Sequence, residues 1–323
     1  MHSEDLHDSV LRWYAQHARD LPWRRPGTTP WGVLVSEVMA QQTPVARVAP
    51  VWQAWLTRWP APADLAGAAP AEVLRAWHRL GYPRRALRLQ ECAQRIVRDH
   101  DGQVPSHEHE LRALPGIGAY TAAAVAAFAH RRRAVVLDTN VRRVLARAVA
   151  GAALPPPTAT AGERVTAAGV LPADPARSVR WNEAVMELGA LVCTARSPRC
   201  GACPVSDVCR WRDAGYPADE YLPRRRSQAW HGTDRQARGR IMARLRELPD
   251  GAALTAEELL APLHEDTADP AQPARALDSL LADGLAQELS PGRYALPAAA
   301  PAGDAPGEHL APRGGAQTER VHR

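Results

Sequence analysis

Apolar residues recur every three or four positions through VLVSEVMAQQ (33–42), AEVLRAWHRLG (71–81), RALRLQECAQRIV (85–97), TAAAVAAFA (121–129) and VRRVLARAV (141–149). That period predicts helices. No run before Tyr221 alternates apolar and polar residues long enough to predict a strand. Pro22, Pro83, Pro105 and Pro115 fall between the predicted helices, and Pro44 marks a helix end or kink. LPPPTAT (154–160) reads as a loop. The first two thirds of the chain are therefore predicted all-α.

The pattern changes at LPRRRSQAW (222–230), which reads as a linker carrying the basic run 224–226. Helical periodicity returns in RQARGRIMARLREL (235–248), TAEELLAPL (255–263) and PARALDSLLADGL (273–285), and QELSPGRYAL (287–296) reads as a small Gly-turned hairpin. Three helices and a hairpin over 222–297 resemble a winged-helix unit. Residues 298–323 are rich in Pro, Gly and Ala and are predicted disordered.

A composition 46% hydrophobic supplies a sizeable core. The net charge of +5 suits a polyanionic partner without demonstrating one, since a GC-rich coding bias raises arginine by itself. The charged start MHSEDLHDSV holds no apolar run of leader or membrane-span length, so a soluble cytoplasmic protein is expected, with no membrane partner. In that reducing compartment clustered cysteines point to metal rather than disulfides. Cys193, Cys200, Cys203 and Cys209 are spaced C-x6-C-x2-C-x5-C, while Cys92 stands apart. Zinc sites usually pair close-spaced cysteines, so the six-residue gap favours an iron–sulphur cluster. Arg196, Arg199 and Arg210 among the cysteines offer charge to phosphate.

In LPGIGAYTAAA (114–124) two glycines open a tight turn between helices and leave bare amides beside a helix N-terminus, an anion site that does not read sequence. An ordinary αα-hairpin fits the same residues. Glu37, on an apolar helix, is either a paired structural acid or a catalytic one. Asp138, in AVVLDTNVRRVL, is equally suited to capping a helix and to catalysis. Two carboxylates in different environments are what cleavage of a glycosidic bond needs.

The cysteine run resembles that of the endonuclease III superfamily of helix-hairpin-helix DNA glycosylases, and SEVMAQQT, LGY and LDTNVRRVLAR resemble the motifs of the MutY-type adenine glycosylases over about residues 6–215. The resemblance implies a [4Fe–4S] cluster on the four cysteines, and DNA contacts at Gly116, Ile117 and Gly118. It implies a core over 1–221, in which a six-helix barrel (22–133) faces a cluster subdomain (1–21 with 134–221), and a monomer acting on duplex DNA that holds adenine opposite 8-oxoguanine or guanine. Glu37 then protonates adenine N7, Asp138 stabilises the positive sugar and Asn140 positions sugar or water. Arg19, Leu21, Trp23 and Arg24 of RDLPWR line the adenine pocket, Glu183 contacts the base edge, and Gln42 and Tyr82 enter the base stack. Gln42 otherwise reads as an exposed helix end and Trp23 as core. Bifunctional relatives carry lysine where Tyr120 stands, so the implied enzyme is monofunctional. The chain departs from the family in reading Gly81-Tyr82-Pro83 where a second tyrosine is usual. It also lacks a recognisable C-terminal Nudix-like domain, 222–297 being too short and strand-poor. A mismatch thymine glycosylase and a non-catalytic cluster protein that binds DNA are the rival readings.

Overall fold

The computed structural model describes residues 3–221, 232–264, 267 and 269–298. The linker at 222–230 with its basic run, and all but the first residue of the tail at 298–323, lie outside the described residues. The helices are α1 (Ser3–His17), α2 (Pro30–Ala40), α3 (Val45–Arg58), α4 (Pro62–Ala66), α5 (Pro70–Ala76), α6 (Arg84–Asp99), α7 (Glu108–Ala113) and α8 (Ala119–Phe128). They continue with α9 (Thr139–Leu145), α10 (Ala161–Gly169), α11 (Pro175–Leu191), α12 (Arg210–Asp213), α13 (Asp234–Glu247), α14 (Ala256–His264) and α15 (Gln272–Ala282).

Two of the predicted helices are buried all round. In α2 every residue from Trp31 to Met39 is buried, and in α8 so is every residue from Thr121 to Ala127. A helix apolar on all sides belongs at the centre of a bundle, and the small alanines of α8 let α2 pack against it closely. Thr29 starts α2 by accepting from the Gly32 amide at 3.1 Å, with Pro30 in the first turn, where its missing N–H costs nothing. Pro44 marks a helix end, as the residue that precedes α3. The other surrounding helices keep one buried stripe, as α6 does through Leu89, Cys92, Ala93 and Ile96.

Buried side chains form two cores. One fills the bundle of α2–α8, and the other joins α1, α9 and α11 to the cysteine loop through Val10, Trp13, Val144, Trp181, Val185 and Val205. The predicted single helix at 141–149 is interrupted: α9 passes into a π-helical turn at Ala146–Ala150, closed by Gly151 at φ 76°. Only glycine takes that conformation readily.

The C-terminal residues fold as α13, β1 (Leu254–Thr255), α14, α15, β2 (Gln287–Ser290) and β3 (Arg293–Ala295), with sheet order β1-β3-β2 and all pairs antiparallel. This is the winged-helix arrangement, with a first strand too short for its pattern to show in the sequence. The unit does not stand apart. Ile241, Leu245, Leu259 and Leu280 belong to the same core as the bundle. Arg246 Nε donates to the Leu74 carbonyl at 3.1 Å, and Arg75 Nη2 to that of Leu248 at 2.9 Å. An Arg84–Asp283 ion pair at 2.9 Å joins α6 to the end of α15.

Candidate active site and metal centre

Between the two cores lies a cleft of about 440 Å³, and Glu37, Tyr120, Asp138 and Asn140 all line it. The buried α2 delivers Glu37, which is 8% exposed. The Tyr120 hydroxyl, from the first turn of α8, donates to Glu37 Oε2 at 2.7 Å. Burial, reinforced by the negative charge of Asp138, raises the Glu37 pKa to about 7, although the Tyr120 hydrogen bond and the Arg24 charge oppose the rise. The same burial and the neighbouring carboxylates hold Tyr120 well above its ordinary value, so it stays protonated.

Asp138 meets the capping reading and also lines the cleft. It caps α9, accepting from the Val141 amide at 2.6 Å, and its other oxygen accepts from Asn140 Nδ2 at 2.7 Å while the carboxylate faces the cleft. Burial raises its pKa; the Val141 and Asn140 donors and the Arg143 charge pull the other way. Asn140 is fixed in turn, because its Oδ1 accepts from Arg143 Nη2 at 2.7 Å.

Arg19, Leu21, Trp23, Arg24 and Glu183 line the same cleft. Leu21 is buried, and Trp23 packs edge-on to Trp52 with centroids 5.9 Å apart. The two arginines are less free than the sequence implies. Arg19 donates through its amide, Nε and Nη2 to Glu187, and Arg24 Nη1 donates to the same carboxylate at 2.9 Å. Glu187 has no exposed side chain and its pKa falls: burial raises it, but the two guanidinium groups outweigh that. Sequence reading missed this acid, which sits one helical turn after Glu183 on α11 and so shares its face. It also missed Tyr14, whose hydroxyl donates to Glu183 Oε2 at 3.3 Å.

Gln42 and Tyr82 both occupy the left-handed region, at φ 54° and φ 47°, and both are exposed. Such strain in non-glycine residues marks a loop tip that the surroundings hold in place. Arg85, missed in the sequence, does the holding. Its Nη1 donates to the carbonyls of Val38 and Gln41 at 2.8 and 2.6 Å, and its Nη2 to Thr43 Oγ1 at 3.2 Å and the Gly81 carbonyl at 3.2 Å. It thus ties the Gln42 loop to the Tyr82 loop. Pro83 denies Tyr82 the right-handed helical basin and serves as the residue before α6.

In the hairpin between α7 and α8 only Gly116 has positive φ, 76°; Gly118 is at φ −86° and precedes α8. A Cβ on Gly116 would meet Arg88 Cβ at 3.0 Å, whereas one on Gly118 would meet open space. The Ile117 side chain is buried, so only its backbone is available to a partner.

Cys193, Cys200, Cys203 and Cys209 line one hollow with Val192, Pro198 and Trp211. Burial pushes the Cys203 thiol up to about 11 and raises that of Cys209, while backbone amides donating to both sulphurs pull the other way; Arg147 Nη1 lies 3.4 Å from Cys193 Sγ. Among the described residues no three His, Cys, Asp or Glu side chains converge on a single-ion position. The four thiols that line this hollow are the soft donor set an iron–sulphur cluster takes. Arg199 and Arg210 donate to the Leu191 and Val149 carbonyls, so these guanidinium groups brace the loop, while Arg196 is exposed. Cys92 is buried in the bundle core, and burial pushes its thiol up to about 12.

Residues 35–164 match the HhH-GPD superfamily of base excision DNA repair proteins, and residues 193–209 the iron-sulfur binding domain of endonuclease III. Similar solved folds include a thermostable thymine-DNA glycosylase (TM-score 0.60, 25% identity, 66% of this chain and 97% of that one). They also include an endonuclease III in a non-covalent DNA complex (TM-score 0.57, 22% identity, 67% of this chain and 98% of that one). Adenine DNA glycosylases are similar in sequence: 52% identity with that of Mycolicibacterium smegmatis over 89% of this chain and 94% of the relative. The Mycobacterium tuberculosis protein is 52% identical over 90% and 92%, and the human one 44% identical over 63% of this chain and 39% of its own length. The chain belongs to the adenine DNA glycosylase family.

Proposed function

We propose that this chain hydrolyses the N-glycosidic bond of adenine mispaired with 8-oxoguanine or guanine in duplex DNA, leaving an abasic site and an unbroken strand. The observation that carries the reading is the 2.7 Å hydrogen bond from Tyr120 to a buried Glu37 with a pKa near 7. An acid so poised keeps a substantial protonated fraction at neutral pH and donates to a leaving base. In this reading Glu37 protonates adenine N7 and then guides water; Asp138 stabilises the oxocarbenium-like sugar, and Asn140 holds sugar or water. Tyr120 has no amine, so no Schiff base forms. Arg19, Leu21, Trp23, Arg24 and Glu183 shape the pocket, Gln42 and Tyr82 fill the stack, and the amides of Gly116, Ile117 and Gly118 hold phosphate. The barrel at 22–133 and the cluster subdomain act as the two jaws of one monomer. No helix among the described residues is long and apolar enough to cross a membrane, and DNA binding places the protein on the nucleoid.

Single-turnover assays on duplexes bearing adenine or thymine opposite 8-oxoguanine or guanine test this directly. Adenine is released and the strand breaks only after alkali; release of thymine, or a borohydride-trappable strand cut without alkali, sinks the reading. The four cysteines hold the [4Fe–4S] cluster in this proposal, so anaerobically purified protein is brown with four irons per chain, and Cys92→Ser keeps them. Zinc without iron in elemental analysis overturns that assignment.

A further inference from the structure

The winged-helix unit sits where a recognition module is expected, yet its third helix is a poor reader of DNA. The exposed face of α15 carries Ala274, Arg275 and Asp278, and Arg275 is held by Asp234 at 3.0 Å and Asp269 at 2.9 Å. Charge on that face is neutralised or negative, the wrong sign for a phosphate backbone. The unit's first helix points elsewhere. Arg235, in the first turn of α13, places its Cζ 4.4 Å from the centroid of the Tyr82 ring, and Arg85 places its own at 5.4 Å. The ring is 40% exposed, on a residue in left-handed conformation, so little apolar packing fixes it. A guanidinium over a tyrosine face fixes orientation through the ring quadrupole.

The lever behind Arg235 is rigid. Arg238 Nη2 pairs with Asp283 at 2.6 Å, and Asp283 also pairs with Arg84, the second residue after Tyr82. Buried Ile241 and Leu245 lock α13 into the bundle core. We propose that the winged-helix unit presets the wedge: Arg235 holds the Tyr82 ring ready for insertion, which makes the C-terminal unit part of the base-extrusion machinery rather than a separate grip on DNA. This rests on the reading of Tyr82 as a residue that enters the stack.

The test is a double-mutant cycle in the full chain with Arg235→Ala, Tyr82→Ala and both together. The probe is a duplex with 2-aminopurine at the target position opposite 8-oxoguanine, whose fluorescence rises as the base leaves the stack; adenine release is followed in parallel. Arg235→Ala slows the fluorescence rise about fivefold, within the range for a lost cation–π contact. Tyr82→Ala slows it more, and the double variant matches Tyr82→Ala alone. Binding of the Arg235→Ala protein keeps the parental salt dependence. If the two losses multiply, or the salt slope of Arg235→Ala falls by about one, Arg235 is an independent phosphate contact and the inference is wrong. A normal rate in Arg235→Ala beside a slow Tyr82→Ala overturns the inference and leaves the wedge intact. A normal rate in Tyr82→Ala removes the wedge reading and the inference together.

Discussion

Glu37→Gln abolishes proton donation without disturbing the cleft, and adenine release falls by at least ~10²-fold, the usual effect of losing a general acid. The amide is nearly isosteric and keeps an oxygen for the Tyr120 hydroxyl, which lies 2.7 Å from Glu37 Oε2. Duplex affinity therefore survives. The pH profile of the parental enzyme carries the same signature. Burial sets the Glu37 pKa at about 7, far above an ordinary carboxyl, so the donating form is present below that pH and disappears as pH rises through it. Release then declines about tenfold per pH unit on the alkaline side. The Gln variant shows no such limb. Parental-rate release by Glu37→Gln assigns the acid to another group.

Asp138→Asn is the second large loss, about 10²- to 10³-fold in release, because a negative charge facing developing positive charge acts mainly in the transition state. The helix cap itself is retained, since an amide oxygen still accepts from the Val141 amide. The new amide nitrogen, however, faces Asn140 Nδ2, which now donates to Asp138 Oδ2 at 2.7 Å and cannot turn over while Arg143 occupies Asn140 Oδ1. One mismatched hydrogen bond costs about 1 kcal/mol. Thermal unfolding and single-turnover kinetics separate that small structural cost from the rate effect. Equal loss in Asp138→Asn and in a variant that merely destabilises the α9 cap assigns Asp138 a structural role alone.

What the sequence made visible is what local chemistry encodes. The cysteine spacing, the glycine-turned hairpin and an acid stranded on an apolar helix each carry their signal within a few residues, and all reappear in the fold. Glu187 and Arg85 do not. Glu187 acquires its meaning from Arg19 and Arg24, which lie some 160 residues earlier in the chain. Arg85 is one arginine of an arginine-rich helix start, and only the approach of two loops turns it into a clamp with a pKa lowered by burial to about 10. Periodicity placed α2 and α8 as helices, but that they are buried on every side follows only from the helices packed around them. Likewise β1, two residues long, offers no alternation to detect.

The merged core of the winged-helix unit and the bundle bears on how this architecture can change over evolutionary time. Domains that meet through a polar seam are exchangeable cassettes. Here Ile241, Leu245, Leu259 and Leu280 are continuous with the bundle interior, and Arg75 and Arg246 stitch backbone carbonyls across the junction. Removing the C-terminal third strips apolar cover from α5 and leaves buried guanidinium partners behind. Substitutions on either side of the junction are therefore expected to be coupled in their effect on stability.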